Sequence, residues 1–205
     1  MKSFIPWIGG KSQLVKKITA EFPQDFGRYI EVFGGGASVL FSADKHAKFE
    51  VYNDANGDLV NLFRCIKYHR EELQREIRYY LNSREMFLDI RQKLSCSGFT
   101  DIQRAAMFYV LVKTSFGADA RSYGCFNKEI KTDCFADVEK RISSVEIEHK
   151  DFEALKAVRP SRRAFLLRPA VSYHGKALCR EIFRRGSLPF ERCFNSVKRA
   201  FYTVL

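Results

Sequence analysis

Three clusters near the start of the chain have the residue types and spacing of a pocket for a small cofactor. Trp7-Ile8-Gly9-Gly10-Lys11 brings an indole and an ammonium group together, and Glu31-Val32-Phe33-Gly34-Gly35-Gly36 places a carboxylate before three glycines. Asn53-Asp54 adds a carboxylate about 20 residues after the glycines. An indole packs on a flat ligand, and an ammonium group meets a carboxylate. In dinucleotide-type folds, an acidic residue at this spacing accepts hydrogen bonds from ribose hydroxyls.

The glycine cluster must be positioned by the segments on either side of it. The apolar run Tyr29 to Phe33 predicts a buried strand, and Ser38 to Ala47 predicts a helix. Glycine permits positive φ and close backbone approach, and a helix N-terminus offers free N–H groups. Three glycines also suit any tight strand-to-helix turn. By itself the cluster therefore leaves a cofactor cradle and a structural turn equally open.

The first cluster has two alternative interpretations. Gly9-Gly10-Lys11-Ser12 resembles the end of a phosphate-binding P-loop, but that motif needs a glycine where this chain has Ile5, and a strand before it. Trp7 could instead belong to an N-terminal arm and fill the core. A pocket wall made by Trp7 and Lys11 is the functional alternative.

Three further segments have the sequence pattern of a helix or a strand. Ser12 to Glu21 and Asn56 to Arg70 have helical spacing, and Lys48 to Asp54 alternates like a strand. Asp54 could serve as a ligand group, but Asp54, Asn53 or Asn56 could equally cap the helix that follows.

A polar, mostly helical stretch then interrupts the sheet elements. Residues 71–81, 83–94 and 100–114 each show helical apolar spacing, which suits either a helical cap or a substrate-recognition region. The loop 115–131 contains Arg121, Tyr123 and Lys128, residue types that contact phosphates and bases. Residues 145–147 predict a third strand, and Asp151 follows it where open α/β sheets bind ligands.

Composition favours a nucleic acid as the partner. The 205 residues carry a formal net charge of +11 with a pI of about 9.5, which suits one globular domain with an insertion and a polyanionic ligand. No run reaches transmembrane length and no signal peptide is recognisable. The six cysteines are scattered without a C-x-x-C pair, so we expect reduced thiols in a cytoplasmic protein and no metal site. We also expect a monomer.

Taken in order, Trp-x-Gly-Gly-Lys, Glu-x-Phe-x-Gly-Gly and Asn-Asp-x-Asn-x-Asp-Leu resemble the Dam-like adenine-specific DNA methyltransferases over roughly residues 4 to 155. The resemblance implies transfer of a methyl group from S-adenosylmethionine to N6 of an adenine flipped out of double-stranded DNA. It also implies an α/β, Rossmann-like methyltransferase fold, here incomplete, with residues 1–60 and 144–160 as cofactor-binding elements and 61–143 as a helical DNA-recognition insertion. The implied cofactor residues are Trp7, Lys11, Glu31, Phe33, Gly34, Gly35, Gly36, Asp54 and Asp151.

The resemblance stops at the catalytic motif. That family places Asp-Pro-Pro-Tyr after its fourth strand, where this chain reads Arg168-Pro169-Ala170-Val171 after Phe165-Leu166-Leu167. We therefore identify no catalytic residue and expect little or no activity. A one-base shift permits codons for Asp-Pro-Pro-Tyr at this position, which suggests a frameshift at about residues 159–165.

The end of the chain differs in charge from the rest. Residues 159–205 hold eleven basic and two acidic residues, a net of +9. A polybasic DNA-binding tail is one explanation. Out-of-frame translation from about residue 160 is the other, and it predicts that 161–205 is a poorly ordered tail and that the sheet stops after about three strands.

Overall fold

A four-stranded parallel sheet organises the chain. In the computed structural model, which describes residues 1–22, 24, 26–124, 129–151 and the strand backbone 164–167, the strands are β1 (Arg28–Glu31), β2 (Phe49–Asn53), β3 (Val145–Glu148) and β4 (Ala164–Leu167). Their order is β3-β2-β1-β4, and every pairing is parallel. The strands predicted from the sequence at 29–33, 48–54 and 145–147 are confirmed to within two residues.

The expectation of a sheet that stops after three strands is wrong. β4 pairs with β1 along its whole length, with Ile30 opposite Leu166 and Glu31 opposite Leu167. Ala-Phe-Leu-Leu is a continuous apolar run, the pattern of a strand in a parallel sheet, and the flanking arginines obscured it in the sequence. Residues 161–163 and 168–205 of the predicted tail lie outside the described residues.

The strand order creates a crevice beside β1. The chain runs outward from β1 to β2 and β3, and then returns to place β4 on the other side of β1. In open parallel sheets, ligands bind beyond the carboxyl ends of the strands at such a switch point. Glu31 is the last residue of β1 and lies opposite Tyr52 and Leu167 of the neighbouring strands.

Six α-helices accompany the sheet in the described part of the chain: α1 (Val15–Ala20), α2 (Gly57–Tyr68), α3 (Arg70–Ile77), α4 (Arg84–Lys93), α5 (Asp101–Thr114) and α6 (Phe135–Ile142). Side chains at the start of three of them accept a backbone hydrogen bond, as expected of N-caps: Asn56, Ser83 and Thr100. Thr100 and Gln103 form a complete capping box. The sequence predicted all of these helices except α6.

The helices of the stretch predicted as an insertion share one core with the sheet. Residues 105–112 of α5 are all buried, and Phe4 packs edge-on against Phe63 of α2 and Phe135 of α6. Position 61, the predicted start of the insertion, falls inside α2. The helices thus support the strand ends directly, and a DNA-recognition role for 61–143 stays a prediction.

The helix predicted over 38–47 is wrong. After the glycines the chain forms only one 3₁₀ turn, Leu40–Ser42, and extends again at Ala43. Side chains donate hydrogen bonds to the backbone carbonyls of this segment. Arg141 donates to Leu40 O at 2.8 Å and to Ala43 O at 2.8 Å, and His46 donates to Val39 O at 2.8 Å. These bonds replace helical bonds, so the segment 38–47 presents no α-helix N-terminus to the glycine turn.

Arg141 can stabilise this segment because its own charge is matched. Its guanidinium forms a two-pronged ion pair with Glu50 of β2, at 2.8 and 2.9 Å, and both side chains are almost fully buried. The ion pair ties α6 and β2 to the segment that follows the glycines. No helix of the described residues is long and apolar enough to cross a lipid bilayer.

Candidate cofactor site

Most of the predicted cofactor residues line one small pocket at the carboxyl end of β1. Its volume is about 220 Å³. The lining contains Trp7, Ile8, Gly9, Gly10, Lys11, Glu31, Phe33, Gly34, Gly35, Gly36, Ser38 and Asp54. Three segments that are separate in sequence therefore meet at the carboxyl ends of β1 and β2, and the pocket holds one cation, two carboxylates and an indole.

Both backbone polar groups of Gly35 are hydrogen-bonded to side chains. Its N–H donates to Asp54 Oδ2 at 2.8 Å, and its carbonyl accepts from Tyr52 Oη at 2.7 Å. Its φ is +49°, a conformation that favours glycine. A Cβ there would lie 2.6 Å from Cδ1 of Trp7, so the indole packs directly on the turn.

The close approach at Gly34 has a different partner from the one that the sequence suggested. A Cβ at Gly34 would lie 2.1 Å from Cε2 of Tyr52. The glycines were predicted to make room for a ligand. In the structure they make room for Tyr52, which is fully buried, and for Trp7, which lines the pocket. The turn is thus both a tight structural turn and part of a pocket.

Asp54 is available to the pocket because another residue caps the helix. Asn56 accepts from the Leu59 N–H at 2.9 Å and is the N-cap of α2. Asp54 Oδ1 accepts from the Asn56 N–H at 2.8 Å, while Oδ2 holds Gly35. Each carboxylate oxygen has a further lone pair, so Asp54 can still accept from a ligand hydroxyl.

Glu31 is a buried carboxyl group in the pocket wall. It is 1% exposed, and burial raises its pKa to about 7 from the ordinary 4.5. The Tyr29 hydroxyl, the Lys11 ammonium and the Leu40 N–H each lower that pKa, whereas Asp54 raises it further. At neutral pH this group is therefore poised between its neutral and charged forms.

The strand ends are locked by a residue for which the sequence suggested a possible helix cap. Asn53, which is buried at the end of β2, donates to Val32 O at 2.9 Å and to Lys150 O at 3.1 Å. Its Oδ1 accepts from the Lys150 N–H at 2.9 Å. The carboxyl ends of β1, β2 and β3 are therefore joined through a single amide side chain.

Two tyrosines were also missed as site residues. Tyr29 and Tyr52 are 0% exposed, and burial raises the pKa of both hydroxyls well above 10. They stay protonated and donate hydrogen bonds to Glu31 and Gly35. In the sequence they were indistinguishable from ordinary strand tyrosines. Their positions two residues before Glu31 and two before Asp54 were the available signal, since alternate strand residues share a face.

The remaining predicted residues are placed elsewhere or lie outside the description. Asp151 is exposed and is not among the residues that line the pocket, so its cofactor role stays a prediction. Lys128 and the segment Arg168, Pro169, Ala170 and Val171 lie outside the described residues.

Arg121 and Tyr123 lie on a short hairpin that follows α5. Ser115 bridges to Tyr123 in antiparallel fashion, and the Phe116 N–H donates to Ser122 O at 2.8 Å. Asp119 closes the tip by accepting from the N–H groups of Arg121 and Ser122. The Arg121 side chain is exposed, as a phosphate contact requires.

Helix α4 and Asn82, which precedes its N-cap Ser83, anchor this hairpin. Tyr123 Oη donates to Asn82 Oδ1 at 3.0 Å, and the guanidinium of Arg84 lies 5.4 Å from the centre of the Tyr123 ring. Arg91 donates to Arg121 O at 2.7 Å. Tyr123 thus has an anchoring position in the structure, and its predicted contact with DNA stays a prediction.

A larger depression of about 830 Å³ lies between α2 and α5, away from the glycine turn. Of the two arginines that line it, Arg104 is engaged by Asp58 and by the Leu94 carbonyl. The smaller pocket is the stronger candidate, because its polar groups converge at the carboxyl ends of β1 and β2. Among the described residues no cluster of three or more His, Cys, Asp or Glu could hold a metal ion.

Comparison with known proteins gives a consistent result. The profile of the family described as D12 class N6 adenine-specific DNA methyltransferase matches residues 7–162. The type II methyltransferase M1.LlaDCHI of Lactococcus lactis subsp. cremoris is 29% identical over 126 residues, which is 57% of this chain and 42% of that protein. A DNA adenine methylase of Vibrio cholerae is 30% identical over 115 residues, which is 53% of this chain and 40% of that protein.

A phage relative covers a similar stretch. The DNA N-6-adenine-methyltransferase of Escherichia phage P1 is 29% identical over 124 residues, which is 58% of this chain and 16% of that protein. The chain therefore spans less than half the length of these curated relatives. The family match over residues 7–162 includes every residue that lines the pocket.

Proposed function

The chain belongs to the D12 class of N6 adenine-specific DNA methyltransferases, and from that premise we propose that its pocket binds S-adenosylmethionine as part of an incomplete Rossmann-like methyltransferase fold. When bound, S-adenosylmethionine supplies the methyl group. The observation that carries the proposal is the convergence of Trp7, Lys11, Glu31 and Asp54 in one pocket at the end of β1.

The chemistry of these groups matches the parts of that cofactor. Asp54 follows β2 and has lone pairs free for ribose hydroxyls. Lys11 suits the carboxylate of the amino-acid end, and Glu31 suits its ammonium group. Trp7 is only partly buried and offers an indole face to a flat ring. Lys11 and Glu31 share the pocket wall without a direct salt bridge between them, so each remains available to a ligand.

The partner proposed for the hairpin side is double-stranded DNA. Arg121 presents an exposed guanidinium on a hairpin that α4 braces through Arg84 and Arg91. Positive side chains on a braced hairpin suit phosphate contacts, which position a protein on DNA. Recognition by residues 61–143 is part of this proposal.

For the chain as printed, we propose that methyl transfer is lost. β4 ends at Leu167 opposite Glu31, at the edge of the pocket, and the residues next in sequence are Arg168-Pro169-Ala170 instead of Asp-Pro-Pro. Without that motif nothing in the sequence is assigned to hold the adenine amine. A non-catalytic DNA- or S-adenosylmethionine-binding protein is the resulting second candidate.

Two experiments test the loss of activity. Incubation of the full chain with DNA and methyl-labelled S-adenosylmethionine should leave the DNA unlabelled, and clear incorporation would refute the proposal. Sequencing the gene tests the origin of the tail. A reading frame shifted at about residues 159–165 should encode Asp-Pro-Pro-Tyr, and any other sequence there rules out the frameshift.

A further inference from the structure

Glu31 is held through one of its two oxygens. The Tyr29 hydroxyl donates to Oε2 at 2.9 Å, and the Leu40 N–H donates to the same oxygen at 3.2 Å. Within the described residues, the hydrogen bonds of this carboxylate all end on Oε2. Because Glu31 lines the pocket, its orientation fixes where a cationic ligand group can be accepted.

Tyr29 is built into the fold in a way that fixes its hydroxyl. It lies two residues before Glu31 on β1, so both side chains project from the same face of the strand. Its ring stacks on His46 with centroids 4.7 Å apart, and the Phe22 ring is tilted against it with centroids 6.1 Å apart. His46 in turn is fixed by Val39 O and by Glu50.

We propose that Tyr29 is a positioning residue, which holds Oε2 of Glu31 so that Oε1 accepts the ammonium group of the amino-acid end of S-adenosylmethionine. This inference rests on the proposed function of the pocket. The Leu40 N–H is the second restraint, and it exists because the segment after the glycines turns back toward β1.

The charged surroundings make this restraint effective. Lys11 and Asp54 face Glu31 from the N-terminal segment and from the end of β2, and the protonated Tyr52 lies beside it. Glu50 and Arg141 face Tyr29 from β2 and α6. Burial keeps the Tyr29 hydroxyl protonated, so it remains a donor and favours the ionised carboxylate of Glu31.

The test compares Tyr29→Phe with the wild-type chain. The variant keeps the ring and its stacking on His46 and removes only the donor. Tyr109→Phe is the matched control, because the buried Tyr109 donates to Lys131 O at 2.6 Å, within the helical part of the core. Calorimetry with S-adenosylmethionine across a pH series gives affinity and its pH profile.

Ammonium binding requires ionised Glu31, so the affinity for S-adenosylmethionine should rise with pH while Glu31 loses its proton. This rise is the acid limb of the pH profile. Loss of the Tyr29 donor raises the pKa of Glu31, so the acid limb of Tyr29→Phe should move to higher pH. At neutral pH its affinity should fall roughly tenfold or more, which is the scale of one hydrogen bond to a charged group. Tyr109→Phe should match wild type in both measurements.

A titration of the Glu31 carboxyl by carbon-13 NMR, without ligand, separates the positioning role of Tyr29 from the proposed function of the pocket. If wild type fails to bind S-adenosylmethionine, the proposed function fails and the ligand role of Tyr29 fails with it. If wild type binds while Tyr29→Phe shows unchanged affinity, acid limb and Glu31 titration, only the positioning inference is overturned. Should Tyr29→Phe not fold, 3-fluorotyrosine at position 29 is a stronger donor and should move the acid limb to lower pH; no movement would overturn the inference.

Discussion

The backbone N–H of Gly35 donates to the side chain of Asp54 across 2.8 Å. This bond joins the glycine turn after β1 to the acidic residue after β2, two motifs that are 19 residues apart. It fixes the turn against the neighbouring strand end, while the Tyr52 hydroxyl holds the carbonyl of the same glycine. One carboxylate thus shapes the pocket and offers lone pairs to its ligand.

Removal of the Asp54 carboxylate should therefore affect both shape and affinity. In Asp54→Ala we expect S-adenosylmethionine affinity to fall at least about tenfold, which corresponds to about 1.4 kcal/mol. Amide exchange at Gly35 should also become faster, because its N–H loses its acceptor. Calorimetry and hydrogen exchange measure the two effects. Asp44→Ala, at an exposed position before β2, should change neither, and unaltered exchange at Gly35 in Asp54→Ala would contradict the account.

The ion pair of Arg141 and Glu50 should be important for stability. Arg141→Ala leaves a buried carboxylate unpaired and two carbonyls without their donor, so the free energy of unfolding should fall by about 3–5 kcal/mol. Urea denaturation measures this loss. The exposed pair of Arg75 and Glu72 is the comparison, and Arg75→Ala should cost no more than about 1 kcal/mol. Equal costs for the two substitutions would show that burial of the pair is irrelevant.

Glu31 should make the unliganded chain less stable as pH rises. Its folded pKa of about 7 lies above the ordinary 4.5, so its contribution is complete below the ordinary value and is lost as pH rises through about 7. The Glu31→Gln variant should lack this loss and should exceed wild type by roughly 1–3 kcal/mol at about pH 8. Denaturation at several pH values measures it.

Glu146→Gln, on the exposed face of β3, provides the control and should follow the wild-type pH dependence. A Glu31→Gln variant that is no more stable than wild type above neutral pH would contradict the assignment. Weaker S-adenosylmethionine binding by the more stable variant would indicate that Glu31 is retained for binding at the expense of stability.

The hairpin makes a separate prediction about DNA. Arg121→Ala should weaken binding to duplex DNA and should reduce the slope of log affinity against log salt by about 1, because one phosphate contact is lost. Fluorescence anisotropy at several salt concentrations measures the slope. Tyr123→Phe keeps the ring under Arg84 and removes only the bond to Asn82, so it should leave the slope unchanged. An unchanged slope in Arg121→Ala would remove that residue from the interface.

The sequence predicted which residues line the pocket better than it predicted the contacts that support them. Glycines, carboxylates and Trp7 are recognisable by type and spacing, and the structure brings them together. The supporting residues are distant in sequence: Arg141 lies 101 residues after Leu40, whose carbonyl it binds. Helical propensity over 38–47 was overridden by these bonds, which no local pattern encodes.

Two further differences have physical reasons of the same kind. β4 consists of four apolar residues between arginines, and only the position beside β1 explains its strand conformation. The glycines of the turn were correctly identified as sites of close approach, but Tyr52 and Trp7 are what approach them. In both cases tertiary contacts determine the local structure, whereas residue type alone is compatible with several packing partners.

Calorimetric titration of the full, folded chain with S-adenosylmethionine tests the central claim most directly. We predict saturable binding with a dissociation constant of roughly 1 µM to 1 mM, the ordinary range for enzyme substrates. S-adenosylhomocysteine should compete, because it retains the amino-acid, ribose and adenine groups, and Lys11→Ala should bind more weakly. A folded chain that binds neither compound would contradict the assignment of this pocket.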